Sequence, residues 1–387
     1  MILAVVLSVA TQTVVAPAPR SQAAPATRRV GSAAEFQLAL AAAQPGTRLV
    51  VAPGEYGRVH ATGVRGTSEQ PIVITADAEG PRPVFRAGIQ LSDVEHLVIE
   101  RLEIAGSPTN GLNVDDAGTL ETPSRHVVLR DLLVRDTGAR GNQDGIKLSG
   151  LEDFRIERCS VTSWGRGGSA IDMVGCRRGL IVDCSFRDRD DDPAATGVQA
   201  KGGTRDVVIR SSRFEHAGRR AVHIGGSTAL AYFRPEPQGF EAQGIVVEDC
   251  TFVGSEAPIA FTGCDGASVR ANTFVHPQKW FLRILQETRE PGFVPCRGGV
   301  FERNLIVWST REIATPVNVG PHTAPQTFRF EHNYWYCADL PERSVPVLPV
   351  AEVEPVGGRD PRFRDASRGD YRLAADSPAL GYGASPR

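Results

Sequence analysis

The chain has 387 residues with 43 basic and 45 acidic side chains, and 41% of it is hydrophobic. This near balance of charge excludes a nucleic-acid binder that relies on a basic field. No apolar run long enough to span a bilayer occurs after the N-terminus, which excludes an internal membrane helix.

In chain order, the first element is MILAVVLSVATQTVVAPAPRSQAAPA, apolar at first and then rich in small residues and proline. Its A-x-A-like sites near Ala16–Pro19 and Ala23–Ala26 predict an export leader over residues 1–26, although a basic start is missing. A secreted or periplasmic location follows, and a disordered alanine-rich leader is the alternative. Next, Ser32-Ala-Ala-Glu35 reads as a capping box, followed by Phe36, Leu38 and Leu40. It predicts a short helix over 32–44 that covers the N-terminal end of the following core.

That core is a repeat. HLVIERLEIAG from His96, HVVLRDLLVRD from His126, DFRIERCSVTS from Asp153, DVVIRSSRFEH from Asp206 and GIVVEDCTFVG from Gly244 share one layout. Between such units lie the short strands GLNVD, GIKLS, AIDMV, GVQAK, AVHIG, PIAFT and FLRIL. Their central residues are Asn113, Lys147, Asp172, Gln199, His223, Ala260 and Arg283, spaced by 34, 25, 27, 24, 37 and 23 residues. Two strands per repeat, a period mostly in the twenties and no helical periodicity predict an all-β parallel β-helix over residues 29–338. A single coil cannot bury its inner face, so the coils must stack. The residues flanking each central position, from Leu112 and Val114 to Leu282 and Ile284, are all apolar and read as the inward set.

The odd total of seven cysteines rules out complete pairing. Cys159, Cys184 and Cys250 share a repeat position that Asn272, Asn304 and Asn333 continue, so they read as buried ladders. Cys264 and Cys296 fall on consecutive rungs, which leaves a bridge between them open. Beyond the repeat, residues 339–387 comprise a Pro-rich connector and a tail, RDPRFRDASRGDYRLAADSPALGYG, that packs on the β-helix.

With its DPxF, DYRL and SPAL elements, this tail and the coils from about Pro71 to Cys337 resemble the right-handed parallel β-helix (pectate-lyase-like) superfamily. The resemblance implies an acidic polysaccharide as partner, bound along one outer sheet. Within it, GVQAKGGTRDVVIRSSRFEHAGRRAVHIGGS from Gly197 is similar in layout to the alginate/chondroitin lyase branch, with Lys201 at the place of the strand lysine. Where that branch has an arginine before His-Gly, AVHIGG has His223 alone, with Arg219 and Arg220 just upstream. The acidic calcium ligands expected before the lysine are replaced by PAAT. NQDGIKL, from Asn142, is similar to the Asn-x-Asp-Gly motif of polygalacturonase-type glycosidases, and FLRIL to their Arg-Ile-Lys element.

β-Elimination on a uronic-acid polymer needs a neutralised carboxylate, a base and an acid. Lys201 is the candidate base, with His223 and Arg220 as acid or carboxylate partners. A free lysine titrates near about 10.4, so it requires cationic neighbours such as Lys147, Arg220 and protonated His223 to lower it. Lys147, Asp144, Asp172, Gln199 and Arg283 are candidate substrate-binding residues. Two insertions, Ser227–Glu241 and Gln286–Cys296, border the strip and add Tyr232, Arg234 and Trp280. Three other readings stay open: a hydrolase using Asp144 and Asp172, a C5-epimerase, or a non-catalytic polysaccharide-binding β-helix. No metal-ligand spacing of the HxxEH kind appears, and no cofactor is assigned. The acidic turn RDRDDD is either a calcium site or a solvated loop. The chain is expected to act as a monomer, without nucleic acid or a membrane span once the leader is cleaved.

Overall fold

The computed structural model describes residues 26–119, 122–138, 141–189 and 192–385. Short runs of β-branched and aromatic residues, broken by Gly, Asp and Ser, wind into three parallel sheets of twelve, ten and twelve strands. In each sheet the strand of one coil pairs with that of the next coil, so the chain climbs rung by rung as a right-handed parallel β-helix.

Each coil holds three strands where the sequence pattern predicted two. The unit HLVIERLEIAG divides into Glu95–Glu100 on the first sheet and Glu103–Ala105 on the third. The break falls at Arg101, whose φ of 61° is left-handed, and the same corner recurs at Asp131, Arg158, Asp183, Ser211, Asp249, Ala271, Arg303 and His332. A single left-handed residue redirects the chain and turns the next side chain inward. That inward column carries Leu102, Leu132, Cys159, Cys184, Ser212, Cys250, Asn272, Asn304 and Asn333, all buried.

The asparagines at its end do what such a column needs. Asn304 Oδ1 accepts the Asn272 backbone N–H at 2.9 Å, while Asn304 Nδ2 donates to the Val269 carbonyl at 3.0 Å. Asn333 repeats the pattern one rung on. Glu352 of the connector then ends the ladder by accepting from Asn333 N at 2.9 Å and Trp335 Nε1 at 2.8 Å. Beside this ladder Phe186, Phe214, Phe252 and Phe274 stack on successive rungs at 4.6–4.8 Å between centroids.

The second sheet is the ten-stranded one and holds the expected register. Lys147 pairs with Asp172, Asp172 with Gln199, Gln199 with His223, His223 with Ala260 and Ala260 with Arg283. Val59–Thr62, Ile89–Ser92 and Val317–Val319 extend it, adding His60, Gln90 and Asn318 to the outward column. The helix spans Ala33–Ala41, with the Ser32 hydroxyl accepting from Glu35 N. It buries Phe36, Ala39 and Leu40, and Phe36 meets Phe85 edge-on at 5.7 Å. The tail folds back on the third sheet, where Ala379 packs with Leu305 and Tyr334, and Gly383 N donates to the Arg303 carbonyl. No helix among the described residues is long and apolar enough to cross a membrane. The leader expectation falls on residues 1–25, outside those described, and on Ala26.

Candidate active site

The outward column of the second sheet forms a chain of polar contacts. Lys147 Nζ ion-pairs with Asp172 and lies 3.6 Å from Asp144 Oδ2. On its other oxygen Asp172 meets Lys201 Nζ at 3.3 Å. Lys201 also reaches Gln199 Oε1 at 3.4 Å, and Gln199 Nε2 lies 3.0 Å from His223 Nδ1. His223 Nε2 closes the series on Thr262 Oγ1 at 2.9 Å.

Most of this chain is buried, which corrects the expectation of an exposed subsite strip. Asp172 is 1% exposed, Asp144 2%, His223 2% and Gln199 9%. The first insertion leaves the sheet through Gly225 and Gly226, and its backbone lies directly over the column. A Cβ on Gly226 would come within 2.5 Å of Gln199 Nε2. Lys201, the candidate base, has only 17% of its side chain exposed.

The electrostatics differ from expectation as well. The nearest charge to Lys201 is the Asp172 carboxylate, not a cation. His223 is neutral: burial holds its pKa well below the ordinary histidine value, and Arg220, Lys201 and Arg283 push the same way. Its tautomer follows from the amide. Gln199 accepts from Lys201 through Oε1 and donates to the Gly225 carbonyl through Nε2, so Nδ1 of His223 accepts and Nε2–H donates to Thr262. A buried ring with both nitrogens engaged is a poor cation for a substrate carboxylate, which corrects that role for His223.

Stability should respond to pH through this residue. Below about 6.5 the unfolded chain takes a proton that the folded His223 refuses, so stability falls as pH falls, by up to about 1.4 kcal/mol per pH unit. Comparing the melting temperature of wild type with His223→Gln between about pH 7 and 5 is expected to show the steeper loss in wild type. Parallel curves would contradict the neutral buried ring. Asp144 opposes this trend, since burial and the nearby Asp172 push its carboxyl up to about 7. It is common to both proteins, so the comparison isolates His223.

Arg220, Arg283 and Trp280 come together elsewhere on the face. With Arg166, Asp192, Arg219 and Glu256 they line a cleft of about 460 Å³ at the N-terminal ends of the strands. The Arg283 guanidinium sits 4.6 Å from the Trp280 ring centroid and donates to Asn318 Oδ1 at 2.9 Å. Arg220 lies 3.5 Å from both His223 nitrogens and 3.5 Å from Glu287. Burial lowers the pKa of Arg283, as does the charge of Arg220, so two cations face one space.

Arg234 does not join them. It reaches back over three rungs to pair with Asp116 at 2.8 Å, which corrects its placement as a substrate ligand. The path is tight: a Cβ on Gly175, whose φ is +60°, would meet Arg234 Cβ at 2.0 Å. Tyr232 projects into solvent, 64% exposed, at the tip of the same insertion. Phe233 and Phe240 are buried, and Phe233 meets Phe293 of the second insertion edge-on at 5.4 Å.

The sequence reading overlooked Glu241. Fully buried, it accepts from Gly202 N, Thr228 N and Thr228 Oγ1, each at 2.8 Å, and from the Thr288 hydroxyl. It thereby ties both insertions to the residue after Lys201. Nothing in the sequence marks it, because its four donors come from three separate segments. Of the acidic turn, Asp190 and Asp191 lie outside the described residues. Asp188 accepts from Ala194 N, and Asp192 pairs with Arg166. Glu95, His96 and His126 converge among the described residues in a way a metal ion could use, but on the first sheet, with Arg65 and Arg125 paired to Glu95.

A family model described as a right handed beta helix region matches residues 87–274. No curated protein matches the sequence. Among solved structures, the PL6 family alginate lyase AlyGC superposes with a TM-score of 0.52 at 13% identity, over 94% of this chain and 57% of that one. The chain therefore spans little more than half the length of that enzyme. Pectate lyase Pel9A superposes with a TM-score of 0.52 at 14% identity, over 91% of this chain and 86% of that one. At such identities the likeness carries architecture and not chemistry. On its sheets, its corners and these matches, the chain folds as a right-handed parallel β-helix.

Proposed function

We propose that the chain is an exported, monomeric enzyme that cleaves a uronic-acid polysaccharide by β-elimination on the second sheet. The observation that carries this reading is one outer sheet that holds a lysine, Lys201, and a cleft lined by Arg220, Arg283 and Trp280, with Lys201, Arg220 and Arg283 all close enough to act on His223. The arginines neutralise the sugar carboxylate, which makes the C5 proton removable. Lys201, held by Asp172 and Gln199, takes that proton in its neutral form and returns it to the leaving oxygen. Asp172 and Lys147 fix the lysine, and neutral His223 fixes Gln199. An alginate lyase and a pectate lyase share this architecture, which supports a uronate polymer as substrate.

The test is incubation with alginate, pectate, chondroitin sulfate and heparan-type polymers, following ultraviolet absorbance of the unsaturated product. A rise on one polymer establishes the reaction and the substrate together; no rise on any sinks the reading. Trp280→Ala is expected to raise KM about tenfold with little change in kcat, because stacking and cation–π contacts of about 1–2 kcal/mol serve binding. A fall in kcat at unchanged KM would remove Trp280 from the binding face.

One observation favours a second reading. Asp144 and Asp172 both contact Lys147, and the Asp144 carboxyl is pushed up to about 7. Two carboxyls in unlike environments are the usual equipment of a glycosidase. New reducing ends without ultraviolet absorbance would select hydrolysis.

A further inference from the structure

We infer that Cys264 and Cys296 form a disulfide when the chain folds in an oxidising compartment, and that this bond fixes the second insertion beside Lys201. All seven cysteines are buried free thiols in the structure. Five of them have an oxygen acceptor. Cys159 donates to the Leu129 and Glu157 carbonyls, Cys184 to Ile156 and Val182, Cys250 to Ile209 and Glu248, Cys176 to Val174, and Cys337 to the Asp339 carboxylate. Cys264 and Cys296 instead face each other, with 3.7 Å between sulfurs. Their neighbours Asp265 and Arg297 are register partners, so the two cysteines occupy one position on consecutive rungs. Closing to a bond of about 2.05 Å needs side-chain rotation and a small approach of the rungs.

The chemistry balances with a low-molecular-weight disulfide such as oxidised glutathione. The Cys296 thiolate attacks one glutathione sulfur, that S–S bond breaks, and the departing thiolate takes up the Cys296 proton. Cys264 then attacks the Cys296 sulfur of the mixed disulfide, and the second glutathione leaves with the Cys264 proton. Two protein thiols are oxidised and one glutathione disulfide is reduced. Because both sulfurs are buried in the folded chain, the exchange belongs to folding.

The bond would act on the face already described. Cys296 N donates to Gln286 Oε1 at 2.6 Å, and Gln286 Nε2 donates to the Thr288 carbonyl at 2.7 Å. Thr288 in turn donates to Glu241, which holds Gly202. The insertion 286–296 begins and ends at this knot, and Arg289 and Glu290 stand exposed on it.

The full chain is refolded from denaturant with reduced and oxidised glutathione, and in parallel with dithiothreitol. A second preparation is exported to the periplasm of a bacterial host. Each is denatured, alkylated and mapped by mass spectrometry. The expected result is five alkylated cysteines and one cross-linked peptide pair, Cys264 with Cys296, from the glutathione and periplasmic samples, and seven alkylated cysteines from the reduced one. Trypsin is expected to cut after Arg289 about tenfold more slowly in the oxidised chain. Seven free thiols in the glutathione and periplasmic samples, or a cross-link at Cys159–Cys184, would overturn the proposal, and the periplasmic sample decides if refolding fails.

Discussion

Lys201→Arg is expected to abolish turnover, lowering kcat by about 10²–10⁴, the range a positioned general base contributes. Arginine keeps a cation beside Asp172, so the buried contacts from Lys147 to Gln199 keep their charge. It cannot release its proton near neutrality, and so cannot act as a base. Lys201→Ala should be equally inactive, but for two reasons. It removes the base and also leaves Asp172, 1% exposed, with Lys147 as its remaining cationic partner. The two variants together separate chemistry from packing. If Lys201→Arg keeps the wild-type rate, Lys201 is a charge that holds Asp172, and the proton is removed elsewhere. For wild type the rate should climb toward alkaline pH, since a lysine base acts only when neutral; that limb should vanish in Lys201→Arg.

The second large effect lies far from the face. Asn304→Ala is expected to destabilise the chain by about 2–6 kcal/mol, because it strands two buried backbone groups at about 1–3 kcal/mol each. Asn272 N–H loses the Oδ1 it donates to, and the Val269 carbonyl loses the Nδ2 that donates to it. With the site fully buried, water cannot replace either partner. The column tolerates Leu102 and Leu132 on earlier rungs, so the demand comes from the local hydrogen bonding and not from the column itself. The check is thermal and chemical denaturation by two probes, since a stacked coil array need not unfold in two states. A loss under about 1 kcal/mol would mean that the neighbouring rungs relax enough to pair these groups again.

Much of this architecture was legible from residue order. Alternation along seven short strands, from Leu112 to Leu285, specified the inward set and the rung register, because a slip of one residue would turn every apolar side chain outward. Lys147, Asp172, Gln199 and His223 were placed on consecutive rungs by that argument alone, and the structure pairs them so. The division into three sheets was not legible. It depends on the left-handed corner at Arg101 and its equivalents; Asp and Ser mark some of these corners, but Arg, Ala and His at the others carry no turn signature of their own.

What the sequence determined by itself is therefore the coil, its register and the list of polar residues along one face. That information is periodic and local, and a repeat restates it on every rung. Only the tertiary structure decided which of those residues meet solvent and which charge each one feels. Gly226 folds the insertion over Gln199, Arg234 crosses to Asp116, and Glu241 gathers donors from three segments. Each of these contacts joins positions without sequence periodicity. Burial and charge pairing, which set whether His223 is a cation and how far Lys201 is exposed, arise only when the chain closes on itself.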